Sequence, residues 1–166
     1  TGTGNVGVGM NSLGQNTTAS GNTAVGDEAL ASNTTGTGLV AVGKDALKTN
    51  ATTNNNTAVG YDALTANTAN QNTAVGSQAL ITNSTGANNT AVGMNSLFSN
   101  STAANNTAVG YGSMENNTTG ADNVAFGSEA LKQNTTGSNN TAIGRAALDG
   151  NTTASDNIAI GLNALG

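Results

Sequence analysis

The chain has 166 residues, of which 8% are charged and 2% aromatic; it has no Cys, His, Pro or Trp, and its formal net charge is −5. So few aromatics exclude a conventional globular core, and the missing Cys exclude a disulfide or thiolate–metal framework. Four scattered Lys and Arg argue against nucleic-acid binding; no run approaches a membrane span and no signal-peptide pattern is present, so no membrane insertion of this segment is expected.

One glycine sets the frame: Gly9, Gly26, Gly43, Gly60, Gly76, Gly93, Gly110, Gly127, Gly144 and Gly161, spaced seventeen apart except for sixteen between Gly60 and Gly76. Units this short cannot fold alone, so each is one rung of a stack. Apolar residues that keep strict phase also set the chain apart from a disordered Gly/Asn/Thr mixture.

Each rung opens on an asparagine four residues before its glycine: Asn5, Asn22, Asn56, Asn72, Asn89, Asn106, Asn123, Asn140 and Asn157, broken only by Leu39. A predicted strand follows. Its first position is Thr, Val or Ile (Thr23, Val40, Thr57, Ile158), and its last is Val, Ile or Phe (Val25, Val42, Phe126, Ile160). Two β-branched columns two residues apart predict a short strand with one face buried, ending at the glycine. Four residues past the glycine comes a second core column, Leu13, Leu30, Leu47, Leu64, Leu80, Leu97, Met114, Leu131, Leu148 and Leu165.

Between the β-branched positions lie Gly7 and then Ala24, Ala41, Ala58, Ala74, Ala91, Ala108, Ala125, Ala142 and Ala159. The β-branched residues are read as the buried face, so by alternation this column faces away from the rung's own core. A solvated position would accept Lys or Glu, whereas this one accepts only Ala or Gly, so it is expected to be an oligomer interface. The column three past the glycine (Ser12, Ala29, Ala46, Ser96, Ser113) carries the same size limit.

Seven residues past the glycine stand Asn16, Asn33, Asn50, Asn67, Asn83, Asn100, Asn117, Asn134 and Asn151. Asn suits both corners of a coil, and amides stacked at the strand spacing of about 4.8 Å form ladders. Many read as glycosylation sequons (Asn33-Thr34-Thr35, Asn134-Thr135-Thr136). The turn role is the better reading, because the Asn persists where the sequon is absent, as in Asn67-Thr68-Ala69.

All charged residues fall in four columns: one, two or five residues after the glycine, or five before it. With Tyr61, Tyr111, Phe98, Lys44 and Arg145 these columns hold the candidate surface-recognition residues. Glu28, Asp45 and Asp62 share one column and invite a calcium reading. The glycine-and-aspartate repeat of calcium β-rolls is missing, so charge repulsion that keeps rods apart is favoured. Gly2-Thr3-Gly4-Asn5-Val6-Gly7 copies a dinucleotide fingerprint without the strand–helix context. With neither His nor Cys and no singular cleft, no catalytic residue, cofactor or metal is expected, and the chain is read as not an enzyme.

The repeat Asn72-Thr73-Ala74-Val75-Gly76-Ser77-Gln78-Ala79-Leu80, followed by Asn83-Ser84-Thr85-Gly86, resembles the head repeats of trimeric autotransporter adhesins and related bacteriophage and bacterial fibre repeats. The resemblance covers essentially the whole chain. It implies left-handed parallel β-rolls packed about a threefold axis. The rung here is longer than in those heads, and Thr stands where they favour an aliphatic; these 166 residues are not expected to include a coiled-coil stalk, anchor or C-terminal chaperone domain.

The expectation is therefore an all-β chain, residues 1–166 forming a single parallel β-solenoid (β-roll) of ten ~17-residue rungs, left-handed and packed as a homotrimer. As an excerpt of a longer fibre or a filament subunit it would serve as an extracellular fibre or adhesin segment on a cell or virion surface, with a host or cell-surface receptor as a further partner. A filament subunit self-associating end to end is the alternative. A third is an ice-binding solenoid using Thr17, Thr34, Thr118, Thr135 and Thr152, a column interrupted by Ala51, Ser84 and Ser101 and disturbed by the sixteen-residue rung.

Overall fold

Ten three-residue strands form where the sequence repeats its β-branched pair: β1 (Val6–Val8), β2 (Thr23–Val25), β3 (Val40–Val42), β4 (Thr57–Val59), β5 (Thr73–Val75), β6 (Thr90–Val92), β7 (Thr107–Val109), β8 (Val124–Phe126), β9 (Thr141–Ile143) and β10 (Ile158–Ile160). They make one parallel sheet in sequence order, and each column pairs with itself, as in Thr73↔Thr90, Ala74↔Ala91 and Val75↔Val92. The computed structural model describes residues 2–166, and among these there is no helix. The chain is a parallel β-solenoid with one sheet wall; turns close the rest of each rung.

The strands face the other way from the sequence expectation. Ala24, Ala41, Ala58, Ala74, Ala91, Ala108, Ala125 and Ala142 are fully buried within the single chain, and Ala159 is 3% exposed. They pack against Leu30, Leu47, Leu64, Leu80, Leu97, Met114 and Leu131 in one apolar core. The alanine column is therefore not an oligomer interface. Its size limit is internal: the coil is thin, the opposite wall supplies the leucines, and only a methyl group fits between them. The column three past the glycine points inward too, with the buried Ser96 Oγ donating to the Ala108 carbonyl at 3.1 Å. The β-branched columns point out, with Val25, Val40 and Val75 at 36–37% exposure.

The turn after the strand explains several columns at once. The glycine that ends each strand takes φ between +125° and +143°, closed to L side chains; a methyl on Gly93 would lie 2.6 Å from the carbonyl carbon of Gly110 in the next rung. The leucine column, Met114 included, sits at φ between +49° and +53°. Left-handed backbone costs about 1–2 kcal/mol for such a residue, and burying the side chain returns roughly 1.5–3 kcal/mol, so the core outweighs the strain.

The other half of the interior is polar. Asn100 Nδ2 donates to Asn83 Oδ1 and to the Ala103 carbonyl, both at 3.0 Å, and Asn117 and Asn134 repeat the pattern at 2.9–3.0 Å. The column four before the glycine runs beside it. Asn106 donates its backbone N–H to Asn89 Oδ1 at 3.0 Å and its Nδ2 to the Gly120 carbonyl at 2.9 Å. Asn100, Asn106, Asn117 and Asn134 thus each have hydrogen-bond partners for their buried amides, as buried polar groups must. The ladder falters at Asn50, whose Oδ1 is taken by the Thr53 hydroxyl; Thr53 stands where other rungs place Gly or Ala (Gly36, Gly86, Ala103).

The sixteen-residue rung leaves the sheet untouched, because β4 and β5 pair in the common register, Thr57↔Thr73 through Val59↔Val75. The missing residue is taken from the corner. In a full rung two successive amides, those of Thr34 and Thr35, donate to one carbonyl, that of Ala51. In the short rung the Thr68 amide alone donates to Ser84, and Ala69 takes over as acceptor for Asn67 Nδ2 at 2.7 Å.

Candidate functional site

No single cleft collects the candidate residues. Tyr61 and Tyr111, 50% and 48% exposed, stand with Lys44 and Arg145 in the column just after the glycine, on different rungs. Phe98 is half-buried in the column five past it. The structure does not bring these five together. A concavity of about 410 Å³ is lined by Leu148, Asn151, Asn157 and Leu165 among others; none of the five candidate residues lines it.

Two of the four charge-bearing columns have a conformational cause. Positions two past the glycine (Asn11, Glu28, Asp45, Asp62, Gln78, Asn95, Glu129, Ala146, Asn163) have φ between +50° and +61°. Positions five before it (Asn55, Gln71, Asn88, Asn105, Asp122, Asn139, Asp156) lie between +58° and +63°. Asn and Asp tolerate left-handed backbone best among side-chain-bearing residues, so backbone geometry already restricts these columns. The columns one and five past the glycine remain free to vary.

The acidic column is bridged by lysine. Lys48 Nζ pairs with Glu28 of the preceding rung and with Asp45 at 3.2 Å. Lys132 pairs with Glu129 of the acidic column at 3.0 Å and with Glu115, which stands in the lysine's own column one rung back, at 3.6 Å. Both ammonium groups are held above the ordinary lysine range: Lys48 by hydrogen bonds to Glu28 and then Asp45, Lys132 chiefly by the one to Glu129. Among the described residues no group of three or more acidic, His or Cys side chains is placed to hold a metal ion.

The surface that runs the whole length of the chain is the outer face of the sheet. Its two columns carry no charge on any rung: Thr or a β-branched aliphatic, then Val, Ile or Phe. At about 4.8 Å between strands and ~3.3 Å per residue along them, it forms a strip about 43 Å by 7 Å. That is on the order of 300 Å², comparable to the largest apolar patch on a typical monomer, which is often functional. Phe126 and Ile143 stand out from it at 57% and 39% exposure. Among the described residues the hydroxyls of Thr57, Thr73, Thr90 and Thr107 have no hydrogen-bond partner, whereas those of the Thr17/Thr34/Thr118/Thr135 column donate to the next rung's carbonyls at 2.9–3.0 Å. The sequence placed the free threonine array on the wrong column. Its signal was there in the repeated Thr-Ala-Val of β4 to β7, misread because the outward phase was assigned to alanine.

Comparisons with protein-family models, with curated proteins and with solved structures find no match for this chain.

Proposed function

We propose that the chain is a non-catalytic structural fibre segment: a stiff rod that assembles with copies of itself through the outer sheet face and presents its two free columns to the surroundings. The observation that carries this reading is the uncharged β-branched strip, continuous over ten strands and uncovered in the single chain. Burial of such side chains contributes about 25 cal/mol per Å², which favours mutual packing of the strips. The resemblance to trimeric adhesin and phage fibre repeats favours three chains, left-handed winding and an extracellular or virion-surface setting. Tyr61, Met94 and Tyr111 in the free column just after the glycine would then be available to a receptor.

Light scattering on the purified chain, with negative-stain imaging, tests this reading. A discrete threefold mass on a rod about 43 Å long is the expected result, reduced to single chains by Val75→Lys with Val92→Lys. A monomer whose mass the double substitution does not alter overturns it. End-to-end polymers that the same substitution leaves intact would transfer the assembly role to the rod ends.

One observation favours a second reading, ice binding. Four consecutive strands present Thr and Val in identical register with unbonded hydroxyls, so a regular lattice of hydroxyl and methyl groups faces water. The short rung does not disturb it. Thermal hysteresis lost on Thr73→Lys in a monomeric chain would establish this function; its absence removes it.

A further inference from the structure

The ladder asparagines carry a liability that bears on where this chain can fold. Asn33, Asn50, Asn83, Asn100, Asn117 and Asn134 each begin an Asn-x-Ser/Thr triplet, the acceptor signal for N-linked glycans. All six are fully buried. Asn83, Asn100, Asn117 and Asn134 use both Nδ2 hydrogens, one toward the preceding rung's Oδ1 and one toward the carbonyl three residues on, at 2.8–3.0 Å. Five further triplets begin at exposed asparagines: Asn55, Asn88, Asn105, Asn116 and Asn139.

We propose that N-glycosylation of the six buried acceptors and formation of the rod are mutually exclusive, so that this chain matures only where it folds out of reach of an oligosaccharyltransferase. The transfer forms a bond from Nδ2 to the anomeric carbon of a lipid-pyrophosphate-linked oligosaccharide. The sugar–phosphate bond breaks, the lipid pyrophosphate leaves and Nδ2 gives up one proton. That proton is one the ladder uses, and the sugar needs volume that the coil interior does not have. In the folded rod the same acceptors are sealed. A transferase that meets the chain as it emerges unfolded finds them all open.

The six can be silenced without touching the ladder. In each triplet the third residue (Thr35, Thr52, Thr85, Thr102, Thr119, Thr136) is exposed and its hydroxyl makes no hydrogen bond among the described residues. Thr18 and Thr153 do the same for the half-buried Asn16 and Asn151. The experiment expresses the natural sequence, and a variant with these eight threonines changed to alanine, through a secretory route that adds N-glycans. Site occupancy is read by mass spectrometry and rod formation by circular dichroism and negative stain. The expected result is a natural chain occupied at the ladder sites and unfolded, recovering the rod when glycan transfer is inhibited, and a variant that forms the rod with sugar on the exposed acceptors only. The same variant made in the bacterial cytoplasm checks that the eight changes themselves leave the fold intact. A rod bearing sugar at any of the six, or a natural chain that folds in that route with all six bare, overturns the proposal.

Discussion

Replacing Asn100 by alanine tests the amide stack at its centre. Asn100 Nδ2 donates to Asn83 Oδ1 and to the Ala103 carbonyl, and its Oδ1 accepts from Asn117 Nδ2, each at 3.0 Å. The Ala103 carbonyl keeps a second donor, Asn89 Nδ2 at 2.8 Å, so truncation orphans two groups: Asn83 Oδ1 and one Asn117 N–H. An unsatisfied buried polar group costs about 1–3 kcal/mol, which gives roughly 2–6 kcal/mol from these two groups alone. Against a typical stability of about 5–15 kcal/mol that is a large share. Because each rung touches only its neighbours, the weakened centre also divides the rod into two halves. Urea unfolding followed by circular dichroism should therefore show a markedly lower midpoint, with a transition that broadens or splits. Asn105→Gly is the comparison: that side chain is exposed, it bonds Asn88 and Asp122 at 3.2 and 3.0 Å, and glycine keeps the left-handed backbone (φ +61°). Water replaces those bonds, so its cost should stay below about 1 kcal/mol. If Asn100→Ala lies within about 0.5 kcal/mol of the natural sequence, the stacked amides are not what holds this half of the coil.

Three further outcomes follow from the same geometry. Ala91→Val forces extra methyl groups into the closed interior and should cost about 1–3 kcal/mol by urea unfolding, whereas Thr90→Val on the outer face should stay within about 0.5 kcal/mol in the single chain; the opposite ranking would put alanine outside. Inserting one threonine after Thr68 restores the seventeen-residue spacing at the corner and should change stability by less than about 0.5 kcal/mol, while a large loss would show that the short corner is needed. Lys48 and Lys132 are held above their ordinary value of 10.5. The stability they add is therefore complete below that value and disappears as pH rises through the folded-state value. Midpoints measured up the alkaline range should fall less for Lys48→Met than for the natural chain, and equal slopes would refute a role for this bridge.

The period, the strands, the parallel stacking and the amide ladder were legible because each depends on spacing, and spacing survives in sequence. The inward phase of the strand was not. Both faces of Thr-Ala-Val are acceptable to a core, so alternation identifies two faces without saying which one the coil encloses. Only the thinness of the coil, fixed by leucines reaching across from the opposite wall, selects alanine. The columns of Glu28 and Asn88 misled for a related reason: they share left-handed backbone with the buried leucine column, and no pattern of hydrophobicity reports that backbone. Thr17 and Thr73 look alike in sequence; one hydroxyl is spent on a neighbouring rung and the other is free, a difference that exists only once the coil is closed.

The corner that absorbs the short rung separates two kinds of inheritance. Residues gained or lost there alter the circumference of a single coil, yet the strands continue to advance by about 4.8 Å. Whole repeats gained or lost by unequal recombination would change only reach, in steps of that one increment. Perimeter can therefore vary by a residue at the corner while length is counted in whole rungs, like the teeth of a rack.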